Sequence, residues 1–171
     1  MPGSGKSTLG KFLSESFQMP FYDLDDIIYH HTGLSSAEWI NQKGEATFRK
    51  TEHDTLKKFL SEKSTPSVLS LGGGTPAFCN NVELLKKYSF SVYIFCSEDV
   101  LLKRIITDKQ ERPLLQYEKE SDLKEKIRNL FGQRELYYQM ADYRWDNSRP
   151  MDDNVKKEMK VFFGKIMDNL F

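Results

Sequence analysis

The sequence predicts an α/β protein, a three-layer α/β/α sandwich around a central, mostly parallel sheet. Three observations point there. Short apolar runs of strand length alternate with amphipathic helical stretches along the whole chain. A glycine-rich loop near the start, GSGKST, runs directly into a helical pattern. The most distinctive polar stretches, a carboxylate cluster after FYDLD and a triple glycine after VLSL, fall at the carboxyl ends of expected strands. In open α/β sheets that is the edge where ligands bind.

The elements follow in order. TLGKFLSES has Leu9, Phe12 and Leu13 at helical spacing, and MPFYDLDD reads as a short strand ending in carboxylates. DDIIYHHTG and SSAEWINQKG are two short helices, each stopped by glycine. EATFRKTEHDTLKKFLSE is a longer helix with Phe48, Leu56, Phe59 and Leu60 on its apolar side. PSVLSLGGG is a buried strand, VELLKKYS a helix, FSVYIFCS a strand, and SEDVLLKRIITD a helix with Ser97 at its N-cap. The polar stretch KQERPLLQYEKESD follows, then the long helix DLKEKIRNLFGQRELYYQMA, the short strand DYRWDN and the closing amphipathic helix DDNVKKEMKVFFGKIMDNLF.

A chain of 171 residues suits one domain with its own core, expected to span 1–171. Lys and Arg total 25 against 25 Asp and Glu, so net charge gives no footing for nucleic-acid binding. Anion recognition must therefore come from individually placed cations. Cys79 and Cys96 have no metal-ligand spacing and no disulfide framework, and with no signal sequence in view they point to a reducing cytoplasm. No apolar run approaches the length that spans a bilayer, so no membrane partner is expected.

The opening loop carries most of the chemistry. In the pattern G-x-x-x-x-G-K-[ST], backbone N–H groups turn inward as an anion nest, and the following helix points its positive end at the phosphates. Gly3, Ser4, Gly5, Lys6, Ser7 and Thr8 match the end of this P-loop pattern. Lys6 is placed to reach the β- and γ-phosphates of ATP, and the Ser7 hydroxyl to ligate Mg2+. A Gly-Ser linker would account for the small residues but not for the lysine in register. The first glycine of the pattern and the strand that usually launches the loop would fall before Met1, so either the sequence starts late or the sheet lacks that strand.

Four further stretches follow the loop in order: FYDLDD, FRKTE, LGGGTP and ERPLL, the last followed by QRELYYQMADY. Taken with GSGKST, this series resembles the shikimate kinase family of P-loop, nucleoside-monophosphate-kinase-like enzymes, from Gly3 to about Pro150. The resemblance implies transfer of phosphate from ATP to the 3-hydroxyl of shikimate, in the pathway to chorismate and the aromatic amino acids, by a monomeric enzyme. In D-L-D the alternation of a strand would set Asp23 and Asp25 on one face. The resemblance makes Asp23 a water-mediated Mg2+ ligand and Asp25 the group that takes the acceptor's proton.

Phe48, Arg49 and Glu52 lie one helical turn apart. By resemblance Arg49 clamps the substrate carboxylate with its planar fork, Glu52 steadies it or meets a ring hydroxyl, and Phe48 covers the ring. Gly72, Gly73 and Gly74 lack side chains, so a ligand can reach their backbone, and the resemblance makes them the pocket floor. Arg134, in the long helix, matches a second carboxylate-binding arginine. Arg112 matches a lid arginine that closes on the transferring phosphoryl group, within a lid at about 109–121. Arg104 is close to the position of an adenine-stacking arginine, with spacing to Arg112 about one residue long, and Arg149 and Pro150 match the loop edging the adenine. The acceptor region is expected at about 26–62. Two alternatives stay open: a gluconate-type or other small-molecule kinase of the same fold, and a non-catalytic P-loop binding module.

Overall fold

The computed structural model describes residues 1–107, 115 and 117–170. Helix α1 (Lys6–Phe17) leads to strand β1 (Phe21–Asp23), followed by helices α2 (Leu24–Thr32), α3 (Ser36–Lys43) and α4 (Glu45–Glu62). Strand β2 (Val68–Ser70), a 3₁₀ turn (Thr75–Ala77) and helix α5 (Asn81–Tyr88) come next. Strand β3 (Val92–Phe95), helices α6 (Glu98–Thr107) and α7 (Glu120–Tyr138), strand β4 (Tyr143–Asp146) and helix α8 (Asp153–Leu170) complete the described elements.

The alternation expected from the sequence is present, and among the described residues the strand pairing is parallel: β1 with β2, from Phe21 opposite Val68 to Asp23 opposite Ser70, and β3 with β4, from Val92 opposite Tyr143 to Phe95 opposite Asp146. The two pairs form separate sheets rather than one. A cavity of about 670 Å³ lies between them, edged by Val68–Leu71 on one side and Val92–Ile94 on the other. Consecutive rather than alternate residues line each side, as expected when the free edges of β2 and β3 face the gap.

Three apolar clusters hold the layers. Leu9 and Leu13 of α1 meet Val155, Met159, Phe163 and Ile166 of α8 over Ile94 and Trp145 of the β3–β4 pair. On the opposite side Leu101, Leu102 and Ile105 of α6 pack with Leu123, Ile127 and Tyr138 of α7. A third cluster joins Leu24 and Ile28 of α2, Trp39 of α3, and Phe48 and Leu56 of α4 to Leu85 of α5. Helices α2 to α4 therefore share one apolar cluster with α5, set beside the β1–β2 pair.

Local signals explain the boundaries. Gly33 ends α2 in the left-handed region, and Ser35 and Glu38 form a reciprocal capping box that starts α3. The sequence expectation for D-L-D needs correction. β1 stops at Asp23, whose Oδ1 accepts the Asp25 N–H at 3.1 Å and so N-caps α2. Asp25 and Asp26 then occupy the first helical turn, where the positive end of the helix favours acidic residues. Asp25 is thus a helix residue, not a second strand residue on the face of Asp23.

Candidate active site

The phosphate loop folds as its glycines dictate. Gly3 and Gly5 have φ of +74° and +84°, and a Cβ on Gly5 would sit 2.6 Å from Asn147 Nδ2. Ser4 is fully buried, and its hydroxyl donates to the Met1 carbonyl at 2.9 Å. Lys6 Nζ donates to the same carbonyl at 2.9 Å, while Ser7 and Thr8 are exposed at the start of α1. Ser7 Oγ donates to Asp23 Oδ2 at 3.0 Å and lies 3.4 Å from Ser70 Oγ. Hydroxyl and carboxylate oxygens are the donor set of a hard divalent cation, and Mg2+ needs few of them because it keeps several waters and phosphate oxygens. These residues fit that ion.

Asp25, in the first turn of α2, accepts from Ser36 Oγ at 2.8 Å through Oδ1. Its carboxylate keeps solvent access, yet the protein crowding it raises its pKa above the usual aspartate range, and the nearby Asp23 charge adds to the rise. The Ser36 hydrogen bond and the positive charges of Lys6 and Arg49 oppose that rise only in part.

Arg49 is buried on α4 between two carboxylates. Its Nη1 donates to Glu52 Oε2 at 2.8 Å, and Nε and Nη2 reach Glu45 Oε1 at 3.2 and 3.0 Å. The guanidinium lies 4.4 Å from the Phe78 ring centroid and 5.1 Å from that of Phe48. Glu52 is 1% exposed, and its Oε1 accepts from the Thr75 hydroxyl at 2.6 Å. Burial outweighs both partners and pushes the Glu52 pKa up. Phe48, expected to cover a substrate ring, is instead 2% exposed within the α2–α4 core, as its apolar side chain dictates. It backs the guanidinium from inside.

The triple glycine joins the two halves of the site. A Cβ on Gly72 would lie 3.2 Å from Glu52 Oε1 and 3.9 Å from Asp25 Oδ1, and one on Gly74 only 2.6 Å from Arg49 Nη2. From Gly73 the corresponding distances are 3.5 Å to the Met1 backbone nitrogen and 3.5 Å to Tyr138 Oη. That phenol donates to the Gly73 carbonyl at 2.6 Å, fixing α7 to the loop. Arg134, one turn earlier on α7, is 5% exposed and partly offsets the burial that raises the Tyr138 pKa. The expected second arginine thus lies beside the tyrosine that holds the glycine loop.

At the opposite edge, Arg104 Nη2 donates to the Asn147 carbonyl at 3.0 Å, and its Nη1 is 3.7 Å from the Gly5 Cβ position. Arg104 therefore flanks the phosphate loop. Arg149 turns outward to an ion pair with Glu158 of α8, beside the exposed Pro150. Arg112 and most of the expected lid lie outside the described residues.

A family model described as shikimate kinase matches residues 2–163. The chain belongs to the shikimate kinase family. Shikimate kinase of Flavobacterium johnsoniae is 38% identical over 161 residues, covering 93% of each chain. That of Aquifex aeolicus is 39% identical over 154 residues, 90% of this chain and 87% of the relative. Among solved structures, shikimate kinase of Bacteroides thetaiotaomicron superposes with a TM-score of 0.89 at 29% identity, over 98% of this chain and 94% of the other. The Acinetobacter baumannii shikimate kinase in complex with shikimate has a TM-score of 0.81 at 30% identity, over 98% of this chain and 89% of that one. The fold class expected from the sequence is that of the family, a P-loop α/β kinase.

Several residues that build this candidate site were not singled out from the sequence. Asn147 is 5% exposed, and its Nδ2 donates to the Ser4 carbonyl at 2.8 Å, tying the end of β4 to the phosphate loop. Its place directly after a strand's carboxyl end was the available signal. Ser36, Ser70 and Asn81 are single polar residues in ordinary contexts and carried no such signal. Cys79 is exposed at φ +51°, with its thiol 3.7 Å from the Arg49 carbonyl.

Proposed function

We propose that this chain transfers the γ-phosphoryl group of ATP to the 3-hydroxyl of shikimate. The observation that carries the reading is the glycine loop, which abuts the Asp25 and Glu52 carboxylates, the Arg49 guanidinium and the start of the phosphate loop within three residues. An acid-bearing polyol laid on that loop would have its carboxylate toward Arg49 and Arg134 and a hydroxyl toward Asp25. Phosphoryl transfer asks mainly for such positioning and for charge neutralisation.

In this reading the loop amides and Lys6 hold the phosphates. Asp25 accepts the proton as the hydroxyl oxygen attacks the γ-phosphorus in line, the bond to the β,γ-bridging oxygen breaks, and ADP leaves with that oxygen. Ser7 directly and Asp23 through water would hold Mg2+, which when bound neutralises charge on the β- and γ-phosphates. Arg104 edges the nucleotide, with Arg149 and Pro150 at the rim. Arg112 supplies charge to the transferring group from the region about 109–121. The stretch 26–62 forms the acceptor side of a single domain that acts as a monomer in the cytoplasm. Among the described residues no helix is long and apolar enough to cross a membrane.

The test is magnesium-dependent ADP release by the purified chain with shikimate, gluconate, nucleoside monophosphates and no acceptor. Release with shikimate alone is expected. Equal release with gluconate, or none with any acceptor, overturns the reading.

A further inference from the structure

A closed chain of polar contacts stands behind the glycine loop. Asn81, the first residue of α5, is fully buried. Its Nδ2 donates to the Thr75 carbonyl at 2.8 Å, and its Oδ1 lies 2.7 Å from His53 Nδ1. A carbonyl only accepts, so the amide can face Thr75 only with its nitrogen. The oxygen then faces the imidazole, and His53 must carry a proton on Nδ1.

From Thr75, also fully buried, the hydroxyl continues to Glu52 Oε1, and Glu52 Oε2 accepts from Arg49 Nη1. The contacts leave α4 at His53, cross to α5 and the 3₁₀ turn, and return to α4 at Glu52, the residue just before it in sequence. Two adjacent side chains of one helix thus grip the same turn from two sides. That turn follows directly on Gly74, the residue packed against the Arg49 guanidinium.

We propose that Asn81, held by His53, is a positioning residue for the acceptor site. It fixes the Thr75 turn and through it the spacing between Arg49 and the Gly72–Gly74 backbone. The proposal rests on the reading of that arginine and that loop as the seat of the acid acceptor. Loss of the Asn81 amide leaves the Thr75 carbonyl buried without a donor, and the turn relieves this by moving. Arg49 and the loop then lose register together, while the phosphate loop, tied instead to Asn147 and α1, keeps its place.

The experiment is steady-state kinetics of Asn81→Ala, His53→Leu, His53→Gln and Arg49→Lys with both substrates varied. Asn81→Ala is expected to raise the KM for shikimate about tenfold, with the KM for ATP changed less than about twofold, consistent with losing one buried hydrogen bond. His53→Leu should follow it, and His53→Gln, which can still donate an N–H to Asn81 Oδ1, should restore most of the loss. Equal rises in both KM values, or none, overturn the proposal. Should Asn81→Ala fail to fold, the two His53 variants decide: matching wild-type values in both overturn it. If Arg49→Lys leaves the KM for shikimate unchanged, the acceptor-site reading itself has failed. A rise with Arg49→Lys and none with Asn81 or His53 rejects the positioning role alone.

Discussion

The hydroxyl of Ser7 and the carboxylate of Asp23 meet at 3.0 Å, joining the first turn of α1 to the last residue of β1. The parallel partner of Asp23 in β2 is Ser70, whose hydroxyl lies 3.4 Å from that of Ser7. Three oxygens from three elements therefore face one spot beside the phosphate loop. Strand pairing sets two of them, and the loop-to-helix transition sets the third.

Asp23→Ala is accordingly expected to raise the Mg2+ concentration that half-saturates activity by about 10- to 100-fold, the usual cost of losing an outer-shell metal partner. A magnesium titration of ADP release at fixed ATP measures it. An unchanged midpoint would remove Asp23 from the metal site.

Asp25 sets the acidic side of the rate profile. Its crowded position raises its pKa, so the carboxylate is lost at a higher pH than for an ordinary aspartate as solutions are acidified. The plot of kcat/KM against pH should fall on its acid limb above the pH expected of a free aspartate. Asp25→Asn should lose activity by about 10²- to 10⁴-fold while still binding ATP.

The same substitution carries a stability signature of opposite sign. A folded pKa above the unfolded one means that Asp25's contribution is fully present below the unfolded pKa and lost as pH rises through the folded pKa. Ionised Asp25 is thus a cost to the folded state at neutral pH. Asp25→Asn should melt higher than wild type at pH 7, with the difference vanishing near pH 3, which paired thermal melts would read. A lower melting temperature at pH 7 contradicts this assignment.

Arg49 cannot be replaced by lysine. Its fork reaches Glu45 and Glu52 at once while its face lies on Phe78, and an ammonium supplies neither the planar geometry nor the stack. Arg49→Lys should raise the KM for shikimate about 10- to 100-fold, the loss of a charge-assisted pair, with the KM for ATP little changed.

Asn147 holds the phosphate loop from the far side. Asn147→Leu leaves the Ser4 carbonyl without its donor, in a loop whose Gly5 already meets the asparagine amide. A loss of about 1–3 kcal/mol of stability is expected by denaturant titration, together with a higher KM for ATP and an unaltered KM for shikimate.

Much of the fold could be read from local signals. Helix α4 covers the stretch EATFRKTEHDTLKKFLSE from end to end, and the glycines at 33 and 44 end α2 and α3 as their position implied. The run Gly5-Lys6-Ser7 fell where a loop meets a helix because its residue types serve that one geometry. The D-L-D stretch misled because its short-range chemistry has two outcomes. Strand alternation and an N-cap with an acidic first turn both suit it, and the cap prevailed, its Oδ1 accepting the Asp25 N–H.

By itself the sequence determined the order of elements, the phosphate loop, the cations available to an acidic acceptor and the likeness to a kinase family. Those depend on residue type and spacing within a few turns of chain. Only the tertiary structure decided that the parallel strands form two pairs flanking a cavity, that Phe48 faces the core, and that Asn147 and Asn81 secure the two ends of the site. Each depends on contacts between distant segments, and a lone polar residue has no periodicity to betray its partner. Burial then gives such a residue its weight, because a hydrogen bond without water to replace it must be made within the fold.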